Sequence, residues 1–156
     1  LTGLFNERCF NKTLKEKEQQ GEPFVLFYLD LDRFKPVNDT YGHDVGDQLL
    51  KAVAGRLRSC VRNTDYAFRI GGDEFALIVN GEVDAEWCAQ RMETIKSIIR
   101  QTYVLEGQTI DISTSCGVVC YPADSADVRE LRILADQRMY EDKQKTGSSR
   151  SAVLSV

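Results

Sequence analysis

The stretch Phe24–Leu29, FVLFYL, is a continuous apolar run of strand length, and it ends in the acids Asp30 and Asp32. An apolar run without polar alternation predicts a strand buried on both faces. From Asp44 to Val61 the period changes: Leu50, Val53, Ala54, Leu57 and Val61 recur at helical spacing. Asp44 reads as the N-cap of this helix, with Asp47 at the third helical position. Tyr66–Ile70 and Phe75–Val79 flank the turn GGDE as a hairpin. A second helix is predicted from about Asp84 to Tyr103, with Cys88, Met92, Ile95, Ile99 and Tyr103 on one face. Ile110–Val119 reads as a strand after a turn at Gly107, Leu131–Lys145 as a third amphipathic helix, and Ala152–Leu154 as a short closing strand. The order strand, helix, hairpin, helix, strand, helix predicts a two-layer α+β fold. A ferredoxin-like split βαβ arrangement suits it best, with an antiparallel-rich central sheet flanked by helices.

At 156 residues the chain is one domain, 1–156, large enough to bury a substantial core. Its 42% hydrophobic and 28% charged residues are those of an ordinary globular protein. No apolar run approaches the roughly 20 residues of a membrane span, so no direct membrane contact by this domain is expected. The opening LTGLFNERCF already reads as domain sequence, which predicts a domain excised from a longer signalling protein, itself open to membrane anchorage. A net charge of −4 without a lysine/arginine run argues against a nucleic-acid surface. The five cysteines, Cys9, Cys60, Cys88, Cys116 and Cys120, contain no CxxC pair and mostly lie in apolar stretches. Free thiols in a reducing, cytoplasmic compartment are the expected state.

If the first strand and the hairpin are neighbours, Asp30 meets Asp73 and Glu74 at one sheet edge. Oxygen-only ligands of this kind suit a hard cation such as Mg²⁺, with Mn²⁺ as an alternative ion. The cation would relieve the repulsion of the paired acids. Gly71 and Gly72 permit positive φ and let backbone approach a phosphate. In DLDRFKPVNDTYGHDVGD, Lys35 offers a point charge to phosphate. Asn38 and Asp47 together hold an amide and a carboxylate that suit the guanine edge. Each has a plainer alternative: Asp47 completes a capping box, and Asn38 shapes a turn.

Taken together, LTGLFNERCF, DLDRFKPVNDTYGHDVGD, RIGGDEF, ISTSCGVVCYP and ADQRMYEDK closely resemble the GGDEF family, the diguanylate cyclases. The resemblance implies a palm-like fold and an enzyme that condenses two GTP into cyclic di-GMP with release of two pyrophosphates. By position it implies Asp30 and Asp73 as side-chain metal ligands, Leu31 as a carbonyl ligand, and Glu74 beside the metals and the attacking hydroxyl. It also implies Asn38 and Asp47 with Phe34 at the guanine, and Lys35 and Lys143 at the phosphates. Asp32, Asp39 and His43 fit motif positions but read better as loop-shaping residues. Arg62-Asn63-Thr64-Asp65 is an RxxD motif at the offset of the family's product-inhibition site, and Arg91 on the following helix is a candidate third arm. The tail QKTGSSR departs from the family pattern: Ser148 follows Gly147 where arginine is usual, with Lys145 or Arg150 as substitutes. One set of acids and one guanine pair hold a single GTP, so a transient two-fold homodimer is expected. The alternative function is a catalytically silent receptor that binds cyclic di-GMP through Arg62 and Asp65; a polymerase palm lacks the basic surface and chain length.

Overall fold

The computed structural model describes residues 2–145. The Ala152–Leu154 strand and the Gly147, Ser148 and Arg150 tail lie outside the described residues. A four-stranded antiparallel sheet has the order β2-β3-β1-β6, built from β1 (Phe24–Asp32), β2 (Tyr66–Gly71), β3 (Glu74–Asn80) and β6 (Ser113–Tyr121). This is the split order expected of a ferredoxin-like sheet. Burial alternates across β1. Val25, Phe27, Leu29 and Leu31 enter one core, with α3 (His43–Ser59) and α4 (Ala85–Arg100); Phe24, Leu26 and Tyr28 enter the other, with α1 (Glu7–Gln20) and α5 (Val128–Lys143). Both faces are therefore covered, which explains the unbroken apolar run. The molecule has three layers, not the two anticipated, because α1, with Phe10 and Leu14, and α5, with Leu131 and Ala135, together cover the second face of the sheet. Fully burying each such side chain is worth about 1.5–3 kcal/mol. Two cores thus hold β1 in place and leave its acidic end for chemistry.

Several boundaries differ from the sequence reading. The N-terminal helix α1 is absent from it, although Asn6 caps its start by accepting from the Cys9 N–H. Also absent are α2 (Phe34–Tyr41) and the small hairpin of β4 (Tyr103–Leu105) and β5 (Gln108–Ile110). The single strand expected over 110–119 is split, since β5 ends at Ile110 and β6 starts at Ser113. Helix α4 stops at Arg100; the Arg56 guanidinium takes the terminal carbonyls of Ile98, Gln101 and Thr102 and stacks on Tyr103 at 3.6 Å. These bonds satisfy helix-end carbonyls and release Tyr103 into β4. Helix α5 starts earlier, at Val128, because Asp127 accepts from the Arg129 N–H. The capping box is a correction as well: α3 begins at His43 after Gly42, without a side-chain cap, so Asp44 lies inside the first turn.

Candidate active site

Register builds the acid cluster. Asp30 on β1 is directly opposite Glu74 on β3, so both side chains leave the same face of the sheet, the one covered by α5. Asp73 precedes Glu74 in the turn, and its carbonyl accepts from the Leu31 N–H at 3.1 Å. The turn is pinned by Arg69, whose Nε and Nη2 donate to the Gly72 carbonyl at 3.1 and 2.8 Å. Gly72 has φ 50, the left-handed region that favours glycine, whereas Gly71 does not, so only one of the pair is needed for backbone conformation. Open space lies where either Cβ would stand. From α5, Lys143 reaches Asp30 Oδ2 at 2.7 Å.

The charges crowd one another. Burial and then the Asp30 charge push the Asp73 carboxyl up to about 6. Glu74 is also raised, by burial and by Asp30, Asp136 and Asp73, against a hydrogen bond from the Tyr28 hydroxyl at 3.4 Å. Burial pulls Lys143 down, but its hydrogen bond to Asp30 and the charges of Asp30, Asp32 and Asp73 raise it overall. For Asp73 the folded chain holds its proton to higher pH than the unfolded chain does. Its contribution to stability is therefore full below about pH 4 and falls as pH rises to about 6. Thermal melts of metal-free protein at pH 5 and 7 should show this decline in the wild type. It should be reduced in Asp73→Asn; an equal decline in both would assign it elsewhere.

Asp30 Oδ1 is buried and has no hydrogen-bond partner. An orphaned carboxylate oxygen beside two raised carboxyls fits a divalent, oxygen-seeking cation. Among the described residues no three acidic, histidine or cysteine side chains form a preformed metal cage. The donors here are thus partial, the arrangement suited to an ion that keeps water and takes substrate phosphate as ligands.

Beyond Asp32 the chain reverses at Arg33, φ 59, and enters α2. This left-handed residue was not legible from sequence, yet it turns the chain into α2, whose Phe34 and Asn38 side chains lie against Gly46 of α3. Asn38 rests against α3 over Gly46, where an added Cβ would stand 1.7 Å from Asn38 Oδ1. The glycine of DVGD therefore makes room for the amide, a role the sequence reading missed. Asp47, the next residue, is exposed and free of any capping duty. Phe34 is buried, with the end of its ring facing Gly46. Lys35 is not drawn to the acids; it is 88% exposed and pairs with Asp39 at 3.6 Å. Asp32 is a buried structural carboxylate, accepting from the hydroxyls of Ser113 and Ser115 at 2.7 and 2.6 Å. His43 is exposed at the start of α3.

The RxxD residues lie at the other end of the sheet. Asn80, which follows Asp65 in space, pairs with Phe24, while Glu74 pairs with Asp30, a separation on the order of 20 Å along the strand. Asp65 has a side chain only 2% exposed and accepts from the N–H groups of Asn80 and Arg62 and from Arg62 Nε. Burial raises this carboxyl, but those bonds outweigh it and leave it below its ordinary value. Arg62 also donates to the Asn80 carbonyl. Arg91 sits close by, donating to the Cys60 carbonyl at 2.6 Å.

Comparison with known proteins decides the family. The model of the family described as "Diguanylate cyclase, GGDEF domain" matches residues 1–149. The chain belongs to the GGDEF-domain family. Two curated relatives are an uncharacterized protein, YhcK, of Bacillus subtilis (40% identical, covering 96% of this chain and 43% of that protein) and the diguanylate cyclase DgcZ of Escherichia coli (37%, covering 96% and 51%). The chain thus spans about half or less of the length of these relatives. Among solved structures, the GGDEF domain of DgcB from Caulobacter crescentus, in complex with c-di-GMP, superposes with a TM-score of 0.81. It is 30% identical, with 93% of this chain and 88% of that one covered. The antiparallel sheet flanked by helices is thus the architecture of GGDEF domains. Among the described residues, no helix is long and apolar enough to cross a membrane.

Proposed function

We propose that this chain is a diguanylate cyclase domain that converts two GTP into cyclic di-GMP and two pyrophosphates. The observation that carries this reading is the pairing of Asp30 with Glu74 across β1 and β3, with Asp73 at the adjoining turn, in a GGDEF-family chain. In each condensation the 3′-hydroxyl oxygen of one GTP bonds to the α-phosphorus of the other. The bond from that phosphorus to the bridging oxygen breaks, and pyrophosphate leaves. Glu74, raised by burial and then by its acidic neighbours, is suited to take the hydroxyl proton. Asp30, Asp73 and the Leu31 carbonyl would hold Mg²⁺, which lowers the hydroxyl pKa and neutralises phosphate charge when bound. Lys143 and Lys35 meet the triphosphate, and the open space over Gly71 and Gly72 admits it. Asn38 and Asp47 read the guanine. The free thiols fit work in the cytoplasm.

The test is incubation with equal GTP and ATP in Mg²⁺, with products resolved by chromatography. A cyclic dinucleotide enriched in guanine by about tenfold or more is expected. Comparable adenine would remove Asn38 and Asp47 from base reading, and no cyclic product would overturn the cyclase itself. Because one chain carries one half-site, specific activity at low concentration should rise in proportion to protein. An activity independent of dilution, on a demonstrated monomer, would exclude the two-fold pairing.

Product inhibition is the second part of the proposal, through Arg62 with Arg91 beside it. Asp65 is too deeply committed to its own backbone partners to be a clean probe, so Arg62→Ala is the informative change. It should weaken cyclic di-GMP binding in calorimetry and leave the initial rate intact, because Arg62 is remote from the acids. Equal affinity in both proteins would make Arg62 only the partner of Asp65.

A further inference from the structure

The last turn of α5 is fastened by a junction on the far side of β6 from β1. Asp142 Oδ2 accepts from Lys96 Nζ of α4 at 2.8 Å and from the main-chain N–H of Cys116 at 2.9 Å. The Lys96 and Asp142 side chains are only 10% and 16% exposed. The pair is therefore largely withdrawn from water, and it joins α4, β6 and α5 at one point. The very next residue is Lys143, which reaches Asp30 Oδ2 at 2.7 Å. Successive helical residues point about 100° apart. One residue can thus face the α4–β6 seam while its neighbour faces the strand ends.

Stability alone does not account for this pair. Removing two charges from water costs about as much as their attraction returns, and apolar residues of similar volume would hold the helix as well. Lys96 lies beside Ile95 and one turn from Ile99, both buried in an apolar core where a leucine would fit the pattern. What an ion pair adds over an apolar contact is a defined geometry. It matters here because Lys143 ends α5: the Gln144 N–H closes onto the Tyr140 and Glu141 carbonyls, which holds the backbone but leaves the direction of the Lys143 side chain to the packing of its neighbours.

We propose that Lys96 and Asp142 are positioning residues that hold Lys143 at the mouth of the acid cluster and so set the affinity for the triphosphate of GTP. The inference rests on the cyclase reading above. Its test uses 3′-deoxy-GTP with Mg²⁺, a probe that lacks the attacking hydroxyl and cannot be turned over, with GMP as a probe lacking the β- and γ-phosphates. Calorimetry on Asp142→Asn, which keeps an acceptor for the Cys116 N–H, and on Lys96→Met should show 3′-deoxy-GTP binding weakened by about fivefold. GMP binding should be unchanged. In a Lys143→Met background neither substitution should weaken binding further, and thermal melts establish that each variant is folded. Wild-type affinity in both single variants overturns the inference, as does an equal loss with and without Lys143. Failure of the wild type to bind 3′-deoxy-GTP would overturn the cyclase reading itself, and the inference with it.

Discussion

Asp73→Ala is expected to lower synthesis of cyclic di-GMP from GTP by at least about tenfold while the chain stays folded, the usual result of losing a metal ligand or transition-state stabiliser. The side chain lies at the hairpin turn and contributes nothing to either apolar core. Its structural bond, from the Leu31 N–H, is made to the main-chain carbonyl and survives the substitution. Removing the carboxyl also removes repulsion with Asp30, so the metal-free variant should melt no lower than the wild type at pH 7. Glu74→Ala should act in the same direction on activity. Circular dichroism with a product assay checks both. Synthesis retained above about a tenth of wild type would take Asp73 out of the metal site.

Gly117→Ala should produce the largest loss of stability among conservative changes. Gly117 lies on β6 under α5, where an added Cβ would stand 2.1 Å from the Ala135 carbonyl oxygen and 2.5 Å from the Met139 nitrogen. Both are helix backbone, so no side chain can rotate aside, and the whole helix must lift. Overpacking costs about 1–3 kcal/mol in ordinary cores, and a clash with backbone belongs at the upper end or beyond. For a chain of this size about 3 kcal/mol corresponds to a fall in Tm of roughly 6–12 °C. Lifting α5 also withdraws Lys143 from Asp30, so nucleotide affinity should fall with stability. A Tm within a degree or two of wild type would mean that α5 does not sit this closely on the sheet.

Periodicity and local chemistry carried much of this protein in the sequence itself. The uninterrupted run FVLFYL required cover on both faces. The helical spacing of Leu50 to Leu57 required an amphipathic helix, and GGDE required a turn with acids at its tip. These are short-range consequences of side-chain period and backbone freedom, so they are visible residue by residue. Asn6 before α1 is an equally local signal, since its side chain caps that helix. The boundary at Tyr103 was not local: Arg56, 42 to 46 residues earlier in the chain, takes the carbonyls that end α4. The same holds for the site. The acids could be nominated from their order, but their meeting depends on the register that sets Asp30 opposite Glu74. Sequence spacing also left open whether Asp47 capped a helix. The helix starting at Gly42–His43 removed that duty, and Gly46 gave Asn38 its place. Lys35 and Lys143 looked alike as cations for phosphate, yet Lys143 reaches Asp30 in the acid cluster while Lys35 pairs with Asp39 on its own helix. Long-range register, close backbone approach and three-way junctions such as Lys96–Asp142–Cys116 arise only when distant segments pack, because no local period encodes them. The residue types and their candidate chemistry were determined by sequence alone; which of them share one site was decided by the sheet order and by the helices packed against it.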